Sequence, residues 1–311
     1  MTMISFSSDR PLRIGTRRSP LALAQAEMAM AAIKAAHNLP DDAVVLVPML
    51  ATGDKIQDRP LAEIGGKALW TKELERALLD DQIDIAVHSM KDVETVRADI
   101  FDISAMLPRA DVRDRLIGAA SLDDLKHGAR VGTSSPRRAA QLQRARPDVR
   151  IVPLRGNVAT RLAHIENGHA DATLLAAAGL DRLGMANVGA PLPLSQFLPA
   201  ASQGAVGIDR LTSRNELVPF LAAINDVDTF AAVQAERALL EALGGNCHSP
   251  IAALAQVEGS QIRLKGEVFT ADGREMHAGE IVYDASINGA TQLADQLLAN
   301  ASDELRSMFA S

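Results

Sequence analysis

This chain is poor in aromatic residues, with one Trp (Trp70), one Tyr (Tyr283) and seven Phe in 311 residues. Ala, Leu, Ile and Val must therefore fill its core, which suits an α/β protein better than a β-sandwich. It has a single cysteine, Cys247, so no internal disulfide can form. No apolar run approaches the length of a membrane span. Residues 1–10 contain no apolar segment, so no secretory signal is expected and a soluble cytoplasmic protein is. Positive charge is in deficit too: the net charge is −7, which argues against nucleic acid as a partner, because phosphate binding needs a basic surface. There is no P-loop, no dinucleotide fingerprint and no group of Cys and His at metal-ligand spacing. What is present is length enough for two or three domains and 47% apolar residues, enough for a sizeable core.

Along the chain, residues 12–16 read as a strand, and Ser19-Pro20 as the N-cap and first position of an Ala-rich helix running to about Ala36. A strand follows over 43–50, then a Gly- and charge-rich stretch over 52–66 that reads as a long, mobile loop. Leu69, Leu74 and Leu78 have helical spacing, and 83–87 alternates as a strand. Strands over 129–132, 149–154 and 172–176 alternate with a helix opened by Ser134-Ser135-Pro136 and another faced by Val158, Leu162 and Ile165. That alternation implies right-handed crossovers and a mainly parallel sheet. The tail changes character. A helix capped by Asp228 ends at Gly244-Gly245, strands cover 251–257, 262–269 and 276–283 with a turn at Asp272-Gly273, and one closing helix spans about 290–309. This reads as a small α+β domain with a three-stranded antiparallel sheet.

Four polar clusters fall at strand or helix ends, where α/β proteins collect chemistry. The first is His88-Ser89-Met90-Lys91-Asp92, just past the strand at 83–87. The second is Gly15-Thr16-Arg17-Arg18-Ser19-Pro20, where helix N–H groups and dipole favour an anion. The third, Gly132-Thr133-Ser134-Ser135-Pro136-Arg137-Arg138, repeats that design, with two guanidiniums in a first helical turn. Cations are misplaced there electrostatically, which points to an anion partner. Leu154-Arg155-Gly156-Asn157, followed by Arg161, belongs with it. Several arginines suit several carboxylates, because guanidinium binds carboxylate through two parallel hydrogen bonds. The fourth is Gly244-Gly245-Asn246-Cys247-His248, whose thiol sits among polar, small residues and reads as exposed and reactive. Any one cluster alone reads as a solvated loop; four with the same placement do not.

Together with Gly65-Gly66-Lys67, Ala177-Ala178-Gly179-Leu180-Asp181-Arg182-Leu183 and Gln203-Gly204-Ala205-Val206-Gly207, these stretches resemble the porphobilinogen deaminase family over nearly the whole chain. The resemblance implies a transferase of porphyrin and haem biosynthesis. Such an enzyme joins four porphobilinogen molecules head to tail, expels ammonia at each addition, and hydrolyses off hydroxymethylbilane. It implies two domains like the hinged halves of periplasmic binding proteins with the active cleft between them (1–107 with 205–223, and 108–204), and a third domain (224–311) that carries a dipyrromethane cofactor on Cys247. It assigns catalysis to Asp92, with Lys91 in support; Asp92 would assist proton transfer at the departing amine and stabilise the cationic azafulvene. Cofactor binding would fall to Ser89, Lys91, Asp92, Thr133, Ser134, Ser135, Arg137, Arg138, Arg155 and Gly156. Substrate carboxylates would meet Arg17, Ser19, Lys67, Arg161, Arg182 and Gln203. No metal, nucleic acid or membrane is implied, and a monomer is expected.

Several positions depart from the family pattern: Glu63, where Lys is common; Trp70, where Phe is; Glu94, where Pro often follows; Ser202, where Gly is usual; and Asn246, which replaces a Gly. None is the proposed acid, the cysteine or a main arginine. A non-enzymatic anion-binding protein of the periplasmic type is the main alternative, and a transcriptional regulator with a similar effector domain the second. The first is disfavoured by the missing signal, the third domain and Cys247; the second by the lack of a basic helix-turn-helix segment.

Overall fold

A computed structural model describes residues 4–50, 71–246 and 248–309. The expected loop over 52–66, Glu63, Lys67, Trp70 and Cys247 lie outside the described residues. Along the chain the elements are β1 (Leu12–Arg17), α1 (Pro20–His37), β2 (Val44–Met49), α2 (Lys72–Leu79), β3 (Ile85–Ser89), a 3-10 turn (Met90–Asp92) and β4 (Phe101–Met106). Then come β5 (Asp114–Ile117), β6 (Arg130–Gly132), α3 (Pro136–Ala145), β7 (Arg150–Val152), α4 (Val158–Glu166), β8 (Ala172–Ala176), α5 (Ala177–Arg182), β9 (Ala190–Pro191) and β10 (Val206–Leu211). The remainder is α6 (Leu217–Ala222), α7 (Val227–Ala242), β11 (Ile251–Glu258), β12 (Gln261–Phe269), β13 (Met276–Asp284), α8 (Ala290–Leu298) and α9 (Asp303–Ser307).

The chain divides into two compact units, residues 1–110 with 205–230, and residues 111–204 with 231–311. The first holds a five-stranded sheet in the order β2-β1-β3-β10-β4. β1 runs parallel to β2 and β3, while β10 is antiparallel to both its neighbours. One face packs against α1, where Leu12, Ile14, Ile85 and Ile208 meet Ala26, Ala29 and Ile33. The other lies under α2, with Leu74, Ala77 and Leu78 against Ile83 and Ala86.

The second unit repeats the pattern in the order β7-β6-β8-β5-β9, with β5 as the antiparallel strand. It also contains the antiparallel sheet β11-β12-β13, covered by α7 and α8 through Leu239, Leu243, Leu264, Leu293 and Leu297. Ala140, Leu198, Ala252, Leu254 and Phe269 join the two sheets of this unit in one apolar contact. The fold is thus mixed α/β with two parallel-rich sheets and a C-terminal antiparallel one, as the sequence pattern implies. Among the described residues, no helix is long and apolar enough to cross a membrane.

Three local readings change. The cap of α7 is Asp226, not Asp228: Asp226 Oδ1 accepts the Thr229 N–H at 2.8 Å. The single closing helix is two, because the Ser302 side chain accepts from Leu305 N–H and starts α9 afresh. Helix α4 has its expected span but buries no residue fully, so its apolar spacing serves only a half-covered face.

Candidate functional site

Parallel pairing sets the carboxyl ends of β1 and β3 side by side, with Gly15 opposite Ala86. Each strand then runs into one of the polar clusters. Ser19 caps α1 by accepting the Ala22 N–H at 3.3 Å, and Pro20 fills the first helical position, where a missing N–H costs nothing. Beyond β3 the chain winds into the 3-10 turn that carries Lys91 and Asp92, both half-buried. The two ends enclose an open pocket. Its polar wall is Arg17, Ser19, Gln25, Thr71, His88, Ser89 and Asp92; its apolar wall is Leu21, Ala22, Val87 and Val93. The structure therefore gathers Arg17, Ser19, Ser89 and Asp92, which the sequence scatters over some seventy positions. Lys91 shares the turn but does not line this pocket.

Two members of the wall were not visible in the sequence pattern. Gln25 is buried on α1, and its carboxamide Nε2 donates to Ser89 Oγ at 2.8 Å, which fixes that hydroxyl. The available signal was one polar residue on the stripe formed by Ala26, Ala29 and Ile33. Thr71 precedes α2 but makes no cap hydrogen bond, and its buried hydroxyl has no partner among the described residues.

In the second unit the loop after β6 is held by its own hydroxyls. Thr133 Oγ1 accepts the Ser135 N–H at 3.1 Å, Ser134 Oγ donates to the Leu154 carbonyl at 3.1 Å, and Ser135 caps α3. The two misplaced cations find their anion inside the protein. Asp114, fully buried at the start of β5, receives Arg137 Nη1 at 2.7 Å and Arg138 Nη2 at 2.6 Å. Gln203 Nε2 reaches the same carboxylate at 3.0 Å. Arg137 also donates to Gln141 and the Leu198 carbonyl, and Arg138 to the Leu174 carbonyl. Burial by itself would raise the Asp114 carboxyl, but the two guanidiniums outweigh it and hold it far below the usual carboxylate range. Burial lowers Arg137 against the pull of Asp114, though a guanidinium stays protonated in proteins.

Sequence reasoning thus identified an anion requirement at α3 but not Asp114, whose Arg113-Asp114-Arg115 context looks like surface charge. The charges still do not balance. Two buried guanidiniums face one ionised carboxylate, and the half-buried Glu267 nearby is pushed up by desolvation. The Nε atoms of Arg137, Arg138 and Arg182 are buried without a hydrogen-bond partner among the described residues. A buried cation in excess, with orphaned donors, fits a further anion.

The other expected residues of this unit lie as follows. Gly156 has φ +103, a conformation glycine adopts without strain, and a Cβ there would come within 2.7 Å of Thr160. Arg161 Nε donates to the Gly156 carbonyl at 2.9 Å. Arg182 Nη2 donates to the Gly204 carbonyl at 2.7 Å, and burial pulls its guanidinium down. Asn246 shapes the loop after α7, its Oδ1 accepting the His248 N–H at 2.8 Å. His248 is held below its ordinary value by desolvation and then by the charge of Arg155, which brings that arginine electrostatically within reach of the loop. Among the described residues, no group of three or more His, Cys, Asp or Glu could hold a metal ion.

Comparison with known proteins sets this geometry in context. Among solved structures, the chain is similar to the periplasmic aliphatic sulphonate-binding protein SsuA of Escherichia coli. The identity is 17%, the TM-score is 0.40, and 74% of this chain and 70% of that one are covered. At the level of sequence it is 57% identical to a porphobilinogen deaminase of Sphingopyxis alaskensis, over 97% of this chain and 98% of the relative. It is 49% identical to that of Paracoccus denitrificans, over 94% and 95%. The family model for the dipyrromethane cofactor-binding domain of porphobilinogen deaminase matches residues 12–218, and that for its C-terminal domain matches 230–302. With a matching family model over most of its length and relatives of this identity, the chain belongs to the porphobilinogen deaminase family.

Proposed function

We propose that the pocket at the ends of β1 and β3 is the reacting centre of this chain, and that the arginines around α3 hold the carboxylates of the cofactor and the growing product. Membership of the family makes the chain a transferase of tetrapyrrole synthesis with a dipyrromethane cofactor. Its reaction joins four porphobilinogen molecules and releases hydroxymethylbilane. The observation that carries the site reading is the convergence of Arg17, Ser19, Ser89 and Asp92 on one pocket. A pyrrole with two carboxylates and an aminomethyl group requires such a mixture: a cation for the carboxylates, an acid beside the amine, and apolar walls for the ring.

When bound, the dipyrromethane supplies the free pyrrole α-carbon that accepts the first unit. The chain's own residues do the rest. Asp92 holds the proton needed by the departing amine and afterwards faces the cationic carbon with its carboxylate, the electrostatic mirror image of an oxyanion hole. As the carbon–nitrogen bond breaks, ammonia leaves; as the new carbon–carbon bond forms, the attacking carbon loses its proton. Lys91 supports this centre electrostatically. Arg17 and Ser19 orient the incoming carboxylates, with Lys67 assigned alongside them. Arg137, Arg138, Arg155, Arg161 and Arg182 bind carboxylates of cofactor and product, with Thr133, Ser134, Ser135, Gly156 and Gln203 shaping that surface. Charge-assisted hydrogen bonds of this kind contribute roughly 1.5–3 kcal/mol each. The excess buried cation at Asp114 and the orphaned Nε donors support this reading.

We assign cofactor attachment to Cys247, as a thioether, and three functional domains: 1–107 with 205–223, 108–204, and 224–311. A lone cysteine kept as an attachment site suits a reducing compartment, which supports our reading of a cytoplasmic enzyme, and we propose that it acts as a monomer. Incubation with porphobilinogen should release ammonia and a linear tetrapyrrole; a purified protein that does neither would overturn the functional reading. Intact mass spectrometry should find the chain heavier than its sequence by one dipyrromethane. A Cys247→Ala protein at the bare mass and fully active would overturn the attachment.

A further inference from the structure

Beneath the Asp92 turn lies a group of charged side chains that the reaction does not use. Asp209, on β10, is fully buried. Its Oδ2 is 2.5 Å from Arg97 Nη2 and 3.3 Å from His88 Nε2. Arg97 also meets Glu75 of α2 at 3.0 Å. Burial pushes the Asp209 carboxyl up, but its contacts with His88 and Arg97 prevail and hold it below its ordinary value. His88 stands four residues before Asp92 and Arg97 five residues after it. Both ends of the turn therefore converge on one carboxylate oxygen.

The surrounding backbone is built for this convergence. β10 pairs antiparallel with β3, Asp209 opposite Ala86 and Gly207 opposite His88, so the acid and the imidazole share one sheet face under α2. Against β4 the register slips between Ile208 and Asp209, an irregularity of the kind that re-aims a side chain beside a functional site. Gly207 allows the turn to settle: a Cβ there would lie 2.2 Å from Met90 Sδ. The Met90 N–H donates to the Ala205 carbonyl at 3.1 Å. From Val93 to Arg97 the chain has no helix or strand of its own, and Arg97 ties it to the sheet through Asp209.

We propose that Asp209 is a positioning residue for Asp92, stapling the chain that enters the turn through His88 and the chain that leaves it through Arg97. The proposal rests on the assignment of Asp92 above. Misplacing a reacting group by an ångström can lower a rate about 100-fold, and a loosened turn displaces Asp92 while leaving Arg17 and Ser19 where they are.

The test is steady-state turnover of porphobilinogen by the cofactor-loaded full-length enzyme. Asp209→Asn and Arg97→Met should each lower kcat by about 10–100-fold with KM changed less than about threefold. Arg97→Lys, which keeps a cation for Asp209, should recover most of the loss. Adding Arg97→Met to Asp92→Asn should cause little further loss, because a staple has nothing left to position. A folded Arg97→Met enzyme with wild-type kcat overturns the proposal, as does a loss confined to KM, a Lys variant as impaired as Met, or fully additive losses in the double variant. Should Asp209→Asn fail to fold, Arg97→Met and its Lys counterpart carry the test. An Asp92→Asn enzyme that keeps its turnover removes the catalytic assignment together with the staple; loss in Asp92→Asn beside an intact Arg97→Met removes the staple alone.

Discussion

The site at the end of β3 and the site at the start of α3 share a scaffold and differ in the charge buried beneath them. Both sit on five-stranded sheets with one antiparallel strand in the fourth place. Both use a Ser-Pro helix start, Ser19-Pro20 and Ser135-Pro136, with the serine accepting a first-turn N–H. Under the first, two acids, Asp209 and Glu75, share Arg97. Under the second, two guanidiniums share the single acid Asp114. Beside the group proposed to face a cation two acids thus meet on one guanidinium, and beside the groups proposed to face carboxylates two guanidiniums meet on one acid. One architecture serves opposite electrostatic tasks because each sheet carries its charge on the antiparallel strand or next to it, where the side chain points under the site rather than into solvent.

Breaking the first site at its acid should have the largest effect. Asp92→Asn should fold normally yet turn over porphobilinogen about 10²–10⁴-fold more slowly, the usual loss for a positioned proton-transfer group. Turnover within a few-fold of wild type would move the chemistry to another acid and remove the contrast.

At the second site the main expected loss is in stability. Asp114→Asn leaves two buried guanidiniums without their shared charge, and removing one partner of a buried pair costs about 3–5 kcal/mol, readable by urea unfolding at pH 7. The same pair gives a pH signature. Asp114 is held below its unfolded value of 3.8, so its stabilisation is fully present above that pH and is lost as the pH falls beneath it. The unfolding free energy should therefore fall more between pH 7 and pH 3 in the wild type than in Asp114→Asn. Equal slopes would mean that the carboxylate is not the hub of the cluster.

Arg138→Lys keeps the charge but loses the fork that binds Asp114 and the Leu174 carbonyl at once. It should impair cofactor assembly or stall ring addition at an intermediate stage, visible by native mass spectrometry as trapped enzyme–product species. A variant altered only in melting temperature would assign this arginine to the interior alone.

The smallest expected effect sharpens the comparison at its margin. Ser202 is buried at φ +64, and its N–H donates to the buried Glu236 at 2.6 Å just before Gln203 reaches Asp114. Ser202→Gly removes a left-handed strain of about 1–2 kcal/mol but frees the unfolded chain by about 0.4–1 kcal/mol. A small rise in melting temperature is the expected balance; a fall would show that the hydroxyl matters more than the strain.

Local chemistry made much of this legible in advance. Ser19-Pro20 and Ser134-Ser135-Pro136 each mark a helix start, and in each a serine caps as its side chain dictates. The C-terminal hairpins were readable because alternation and Asp272-Gly273 state them within a few residues. The sequence pattern put the α7 cap at Asp228 where Asp226 fills it, because either acid can cap by its residue type and only packing decides which one does. Strands β4, β5 and β10 escaped notice. Asp114-Arg115 and Asp209-Arg210 interrupt their apolar pattern, and a charged pair reads as surface until its long-range partners are known.

The sequence by itself determined the α/β class, the placement of polar clusters at strand and helix ends, the lone cysteine and the family, because each is written in short-range patterns of residue type. Only the tertiary structure decided that Arg137 and Arg138 converge on Asp114, that Gln25 fixes Ser89, and that His88 and Arg97 share one oxygen of Asp209. These contacts join residues 23 to 121 positions apart, and their strength comes from burial in a low-dielectric interior, which no local stretch of sequence records.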